Sequence, residues 1–217
     1  MNQLFKYFKG NKGRLIYKWH DYFDIYHRHF ERYRGKPVTV LEIGVWHGGS
    51  LQMWKKYFGR KAKIYGVDVN PYCKTFEEKQ IEIIIGDQSD REFLKQLREQ
   101  IGQVDIIIDD GSHHCAHQIA TFQELYTMIA DDGVYLVEDL HTSYWPEYEG
   151  GYHREGTFIE FSKMLIDSLN AWHIPNTKPD AITISTDSLH YYDSVLVIEK
   201  RRKQARSDVS MTGIPSF

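Results

Sequence analysis

Residues 104–144 read VDIIIDDGSHHCAHQIATFQELYTMIADDGVYLVEDLHTSY, and the reading of this stretch decides the fold. Two short apolar runs in it each end in a polar cluster. Ile106-Ile107-Ile108 leads into Asp109, Asp110, Gly111, Ser112, His113 and His114, and Val134-Tyr135-Leu136-Val137 leads into Glu138, Asp139, Leu140 and His141. Runs of this length, rich in β-branched residues, suit strands of a parallel sheet buried on both faces. In open α/β sheets, ligands sit beyond the carboxyl ends of the strands. If the two strands are neighbours, Asp110, Glu138 and Asp139 converge on one rim with His113 close by. Three carboxylates in one cleft repel one another and favour a hard divalent cation, Mg2+ or Mn2+. Between the runs, Ile119, Phe122, Leu125, Tyr126 and Ile129 predict the inward face of a helix from about Cys115 to Ala130. Gly133 is placed to close it at C′.

Upstream, residues 38–50 read VTVLEIGVWHGGS. Val38, Val40 and Leu41 predict a buried strand, with Glu42 and Gly44 at its end. Gly48-Gly49 precedes a helix starting near Ser50, whose face is Leu51, Trp54 and Phe58. A glycine-rich turn from strand to helix brings bare backbone against a ligand. Trp46 stands where a dinucleotide-binding GxGxxG loop has its second glycine, which speaks against a pyrophosphate on this turn. Lys63–Asn70, KIYGVDVN, predicts a second strand with Asp68 at its tip. An acid there takes the hydroxyls of a ribose or caps a helix. Ile81–Ile85 predicts a third strand, ending in Gly86-Asp87-Gln88-Ser89-Asp90. Ser89 or Asp90 can cap the next helix, leaving Asp87 and Gln88 to meet an adenine edge.

Near the N-terminus, residues 1–13 show no clear period and read as a solvated lysine-rich arm. Trp19, Tyr22, Phe23, Tyr26, Phe30 and Tyr33 keep to steps of three and four, which predicts one helix over about 15–33. Its stripe packs on an edge of the sheet, roofs a substrate or reaches another subunit; His20, His27 and His29 fall beside it and are expected to face solvent or satisfy backbone groups. Downstream, the loop 141–156 is long, aromatic and glycine-bearing, as binding loops are. Phe158, Phe161, Leu165 and Leu169 mark a further helix. Residues 181–202 predict two closing strands turning near Ser188-Leu189-His190, and residues 201–217 a polar tail. The expected organisation is an arm over 1–36, one domain over 37–200 and the tail.

A length of 217 residues suits one domain with a full core. A net charge of -3 gives no reason to expect nucleic acid. No run of 18 apolar residues is present, so no membrane span is expected. The basic, aromatic N-terminus does not read as a signal peptide. Two cysteines, Cys73 and Cys115, read as reduced thiols, and a cytoplasmic location is expected.

Strand, glycine turn, acid at the second strand tip and acid after the third is the order of class I S-adenosylmethionine-dependent methyltransferases. LEIGVWHGGSLQMW, IYGVDVNP, GDQSD, IIDDGSHHCAHQ and GVYLVEDLHTSYW together resemble the metal-dependent macrolide sugar O-methyltransferases of the mycinamicin VI 2″-O-methyltransferase type. Cephalosporin hydroxylase-type proteins are similar more distantly. The resemblance covers roughly residues 15–150. It implies a Rossmann-like α/β fold: a mostly parallel seven-stranded sheet, helices on both faces and a C-terminal antiparallel strand.

Carried over by position, the resemblance puts metal ligands on Asp110, Glu138 and Asp139 and a general base on His113. It puts the donor's methionine end near Glu42, Gly44 and Ser50, the ribose on Asp68 and the adenine on Asp87 and Gln88. Asp109 is expected to join this donor-binding set. Macrolide-type members carry a large N-terminal domain where this sequence shows a short arm, so a reduced acceptor-reading surface is expected.

The implied activity is methyl transfer to a hydroxyl of a sugar or glycosylated natural product, by a homo-oligomer that needs no nucleic-acid partner. Mg2+ would lower the pKa of a coordinated oxygen, and His113 has the pKa range to take its proton. A catechol or other phenol chelates through two oxygens in the same way and is the competing acceptor. A non-catalytic S-adenosylmethionine-binding protein and a nicotinamide oxidoreductase are the other readings weighed.

Overall fold

The computed structural model describes residues 2–203. Five strands run parallel: β1 (Thr39–Ile43), β2 (Lys63–Asp68), β3 (Ile81–Ile85), β4 (Val104–Asp109) and β5 (Ile129–Val137). A hairpin of β6 (Thr186–Tyr192) and β7 (Val195–Lys200) closes the sheet, with β7 antiparallel to both β5 and β6. The strand order is β3-β2-β1-β4-β5-β7-β6. The chain therefore builds outward from β1 in one direction and then from β4 in the other. The reversal between β1 and β4 opens a crevice beyond their carboxyl ends, where open sheets of this kind bind ligands.

Alternation along the strands feeds two cores. Val40, Ile64, Ile106, Ile108, Val134 and Leu136 point to one face. That face is covered by α1 (Gln3–Lys9), α2 (Tyr22–Phe30) and α3 (Gly49–Phe58), through Leu4, Tyr22, Phe23, Tyr26, Phe30, Trp54 and Phe58. Leu41, Ile43, Tyr65, Val67, Ile107 and Tyr135 point to the other. There α4 (Arg91–Ile101), α5 (Cys115–Leu125) and α6 (Phe158–Leu169) supply Leu94, Leu97, Phe122, Leu125, Phe158 and Leu165. Trp54 anchors the first core, edge-on to Tyr26 at 5.0 Å and to Phe30 at 5.8 Å. Truncating a buried indole of this kind costs about 3–5 kcal/mol.

Several elements differ from the sequence reading. Residues 3–9 form a helix rather than a solvated arm, because Leu4 is buried and the rings of Phe5 and Phe8 pack on Phe23 at 5.6 and 4.8 Å. The helix expected over 15–33 is shorter, Tyr22–Phe30 plus one 3-10 turn. The segment before it is irregular and lies across the start of α3, so close that a Cβ on Gly49 would strike the Leu15 carbonyl. His29 does not face solvent: it is 2% exposed. The helix α5 ends at Leu125, and Gly133 lies inside β5. A register shift in the β4–β5 pairing brings Gly133 against the Asp105 carbonyl, where a Cβ would not fit. Ala181–Ser185 is a short helix, α7, capped by Asp180, not the start of a strand. The hairpin turns at Asp193-Ser194, where Ser194 adopts φ +64, rather than at Ser188–His190. The predicted tail lies outside the described residues from position 204 on.

Candidate active site

A cleft of about 470 Å³ opens beyond the tips of β1, β2, β3 and β4. Gly44, Trp46, Asp68, Asp87, Gln88, Asp110, His113 and Asp139 line it, together with Tyr17 from the N-terminal segment. Gly44 holds φ +95, and a Cβ there would collide with the Asp110 carbonyl, so the β1 and β4 tips meet only because this residue is bare.

On the β2 side, Asp68 is fixed by backbone donors. Its Oδ2 accepts from the amides of Val45 and Trp46, both at 2.9 Å, and its Oδ1 accepts from Asn70 N at 2.8 Å. A carboxylate has about four acceptor sites, which leaves room on Oδ1 for a ligand hydroxyl. Trp46 takes φ +48 and swings its ring outward, 57% exposed, edge-on to Tyr17. It borders the cleft and does not fill it. Asp87 lines the far wall, its pKa lowered by hydrogen bonds from Ser89.

Gln88 lines the cleft too, but its amide is engaged on both sides. Nε2 donates to Asp109 Oδ1 at 2.6 Å, and Oε1 accepts from Ser112 N at 2.9 Å. It ties the β3 loop to the β4 loop rather than offering a free polar edge.

Three of the expected donor-binding residues are not on the cleft wall. Asp109 is fully buried behind it, accepting from Gln88 and, at 3.5 Å, from Tyr135; burial pushes its pKa up to about 7. Odd and even positions of β4 face opposite sides, so Asp109 and Asp110 cannot share one cavity. Ser50 donates to Glu42 Oε2 at 2.9 Å, and Glu42 is completely buried, its pKa raised to about 7 by that burial.

The acids at the strand tips divide into two groups that share Asp110. Ligand atoms of Asp110, His113 and Asp139 lie within 4.8 Å of one another. His113 and Asp139 both hold left-handed backbones, φ +60 and +56, and His113 Nε2 sits 3.5 Å from Asp139 Oδ2. The His113 Nδ1 is buried without a partner.

Glu138 turns the other way. Its Oε1 accepts from the Tyr26 hydroxyl at 2.8 Å, and its Oε2 accepts from Lys18 Nζ at 2.7 Å. The same ammonium donates to Asp110 Oδ2 and lies 4.0 Å from Glu42 Oε1. Of the expected trio, Asp110 meets Glu138 across the Lys18 ammonium and lies within 4.8 Å of Asp139, whose left-handed turn brings its carboxylate beside His113.

Lys18, Tyr22 and Tyr26 are the site residues that sequence reasoning missed. Tyr22 donates to Asp139 Oδ1 at 2.7 Å. Tyr22 and Tyr26 were visible as part of the aromatic stripe, but nothing in a stripe says that its hydroxyls reach acids more than a hundred positions away. Burial opposes the charge on Lys18, yet Asp110, Glu138 and Glu42 outweigh it and raise its pKa above the usual value. One ammonium still faces three acids. Burial, with the Asp110 charge beside it, pushes Glu138 well above the ordinary carboxylate range. The pocket is built around positive charge and is short of it, and its two remaining donors, Asp139 and His113, are of ligand type. These residues fit a hard divalent cation.

The architecture is that of a Rossmann-like methyltransferase, and residues 41–140 match the family model described as a methyltransferase domain. The chain is 39% identical over 206 residues to the 8-demethyl-8-alpha-L-rhamnosyl tetracenomycin-C 2'-O-methyltransferase of Streptomyces olivaceus, covering 89% of this chain and 54% of that protein. It is 40% identical over 190 residues to the mycinamicin VI 2''-O-methyltransferase of Micromonospora griseorubida, covering 82% and 47%. The structure of the MycE methyltransferase with Mg, SAH and mycinamycin VI superposes with a TM-score of 0.82 at 36% identity, over 93% of this chain and 53% of that one. The chain spans about half the length of the relatives it matches.

Proposed function

We propose that the chain is an S-adenosylmethionine-dependent O-methyltransferase that needs a divalent metal, Mg2+ or Mn2+, and acts on a hydroxyl of a sugar or glycosylated natural product. The observation that carries this reading is one continuous cleft. A backbone-fixed acid for a ribose, Asp68, lines one end, and the acid–imidazole cluster of Asp110, His113 and Asp139 lines the other. The names of two relatives, a rhamnosyl tetracenomycin-C 2'-O-methyltransferase and a mycinamicin VI 2''-O-methyltransferase, and the Mg and SAH in MycE support it.

In the reaction an acceptor hydroxyl oxygen attacks the sulfonium methyl in line, the C–S bond breaks, and the hydroxyl proton leaves. A divalent cation, when bound, supplies the Lewis acidity that makes such a hydroxyl acidic enough to react. Asp110 and Asp139, with Glu138 across the Lys18 ammonium, would hold that cation. His113 Nε2 is the nitrogen placed to take the proton, and the carboxylate of Asp139 stabilises the imidazolium that results. Asp68, held in place by the Val45 and Trp46 amides, would fix the donor's ribose and with it the donor's position against the acceptor, the proximity on which most of the rate depends.

Tyr17, 74% exposed, lines the cleft, and Tyr144 and Trp145, each 48% exposed, follow β5, where their rings would suit an acceptor's apolar face. A sugar with vicinal hydroxyls presents two oxygens to a metal and an apolar face to such rings. No nucleic-acid partner is proposed, given the net charge of -3. A homo-oligomer is kept as part of the proposal, with light scattering as its check. A cytoplasmic setting is proposed from the two unpaired, buried cysteines, Cys73 and Cys115.

The test is incubation of the chelator-treated chain with S-adenosylmethionine and a panel of deoxysugar and rhamnosyl glycosides alongside catechols. Mg2+-dependent appearance of a methylated glycoside supports the proposal. Methylation of catechols alone would shift the acceptor class, and transfer unaffected by chelator would remove the metal from it.

A further inference from the structure

Away from the cleft, three groups of metal-ligating type meet where α2 crosses the closing hairpin. These are His29 on α2, His190 on β6 and Glu199 on β7, with one donor atom of each within 4.8 Å of the others. They come from positions up to 170 apart in the chain, and His29 is 2% exposed.

Each side chain also has a hydrogen-bond partner outside the cluster. His29 Nε2 lies 2.9 Å from the Tyr192 hydroxyl. His190 Nε2 lies 2.9 Å from Ser188 Oγ. Glu199 Oε2 accepts from Arg32 Nη1 at 3.0 Å. His29 Nδ1 and Glu199 Oε1 face one another 2.5 Å apart, and the His190 ring, with one nitrogen within the cluster, has its centre 4.8 Å from that of His29. Ligating imidazoles nearly always have the other ring nitrogen held by an outer partner in this way, and ligating carboxylates are likewise hydrogen-bonded.

We propose that His29, His190 and Glu199 form a second metal site, selective for a borderline transition-metal ion such as Zn2+, that clamps the arm helix α2 to the β6–β7 hairpin. Two imidazoles and one carboxylate are a donor set for Zn2+ rather than Mg2+, with water free to take a fourth position. A tetrahedral ion with bonds of about 2.0 Å keeps its ligands roughly 3.3 Å apart. That separation lies between the 2.5 Å of the Nδ1–Oε1 pair and the 4.8 Å limit on the whole cluster, so modest side-chain rotations suffice. Binding uses the lone pair of His29 Nδ1, and the ring proton then sits on Nε2, where the Tyr192 hydroxyl oxygen can accept it.

The clamp has a consequence for the cleft, because His29 lies about one turn beyond Tyr26 on the same helix. Tyr26 and Tyr22 present their hydroxyls to Glu138 and Asp139. Fixing the far end of α2 fixes the element that carries both.

The test uses the full chain after chelator treatment, in an Asp110→Asn background so that the cleft does not contribute. Zn2+ is titrated by calorimetry, Co2+ by its visible ligand-field spectrum, and the melting point is followed with each. The expected result is one equivalent of Zn2+, a Tm raised by several degrees, and a Co2+ spectrum typical of a four-coordinate nitrogen–oxygen site. His190→Ala should lose all three, and Ser188→Ala, which leaves the ligands in place, should weaken Zn2+ about 10-fold to 100-fold. Absence of Zn2+ binding, or unchanged binding in both variants, would overturn the site and leave a hydrogen-bonded ion pair only. The outcome does not depend on whether the chain transfers methyl groups.

Discussion

His113 and Asp139 are both non-glycine residues in the left-handed region, a conformation that costs of order 1–3 kcal/mol each and persists only where surrounding structure enforces it. Here the single Thr142 hydroxyl proton is shared between the carbonyl oxygens of both, 3.0 and 2.8 Å from Oγ1, so one side chain bridges the two strained turns. The strain has a use: it aims an imidazole and a carboxylate from separate strand tips at each other. His113→Ala should therefore lower turnover by about two or more orders of magnitude while leaving donor binding intact, read by steady-state rates and by calorimetry with S-adenosylhomocysteine. If the same variant also loses Mg2+ affinity, His113 is a ligand rather than the base.

Asp68→Ala should do the reverse, weakening donor binding at least tenfold by the same calorimetric measure. At this scale the sequence showed which residues are chemical but not how they are shared out. Asp109 and Gln88 sit in motifs that read as donor contacts, yet they bond to each other at 2.6 Å, and the pleat puts the Asp109 carboxylate behind the wall. A motif carries spacing along the chain, and the side of a strand on which an acid finds its partner depends on residues elsewhere.

Among the elements, β1 to β5 were legible because their apolar runs are bounded by glycine and acids, and Ile81–Ile85 appears as read. The arm was not. Its aromatic period holds over Tyr22–Phe30, but the preceding stretch is drawn out across α3 by contacts that no local pattern announces. Arg14 N donates to Gln52 Oε1 at 3.3 Å and Arg14 Nη1 donates to the Phe76 carbonyl at 2.8 Å. That extended run is what lets Lys18 and Tyr17 reach the cleft. The hairpin turn was misplaced for a similar reason: Ser188–His190 has the composition of a turn, but β6 pairs through it along β7.

The arm and hairpin are also joined electrostatically. The Glu199 pKa is lowered to about 2, first by the hydrogen bond from His29 and then by Arg32. A carboxyl whose folded pKa lies below its unfolded value of about 4.5 adds stability that is present above that value and is lost as pH falls toward 2. With chelator present, stability measured by urea unfolding should decline across that window in the native chain. In Glu199→Gln the decline should be shallower, with lower stability at neutral pH. An unchanged acid limb would remove Glu199 from the link.

Over the whole molecule, the reversal between β1 and β4 is the feature from which the rest follows. It opens the crevice, and the arm passes over the opening to insert Lys18 among Glu42, Asp110 and Glu138. The lysine side chain is 3% exposed. Removing one partner of a buried ion pair typically costs about 3–5 kcal/mol, because the acids left behind lose their counter-charge. Lys18→Met should lose stability of that order in chelator, and added Mg2+ should restore part of it, with a larger rise in Tm than in the native chain. A variant equally stable without metal would mean that the acids are already neutral and the pocket is not short of charge.

Mg2+ binding to the chelator-treated chain in the presence of S-adenosylhomocysteine, compared between the native protein and Asp110→Ala, addresses the cleft most directly. One Mg2+ bound by the native chain and none by Asp110→Ala, with S-adenosylhomocysteine affinity kept within a few-fold, is the predicted result. Mg2+ binding that survives the loss of Asp110, or that is absent from the native chain, would contradict a metal-dependent transferase built on the tips of β4 and β5.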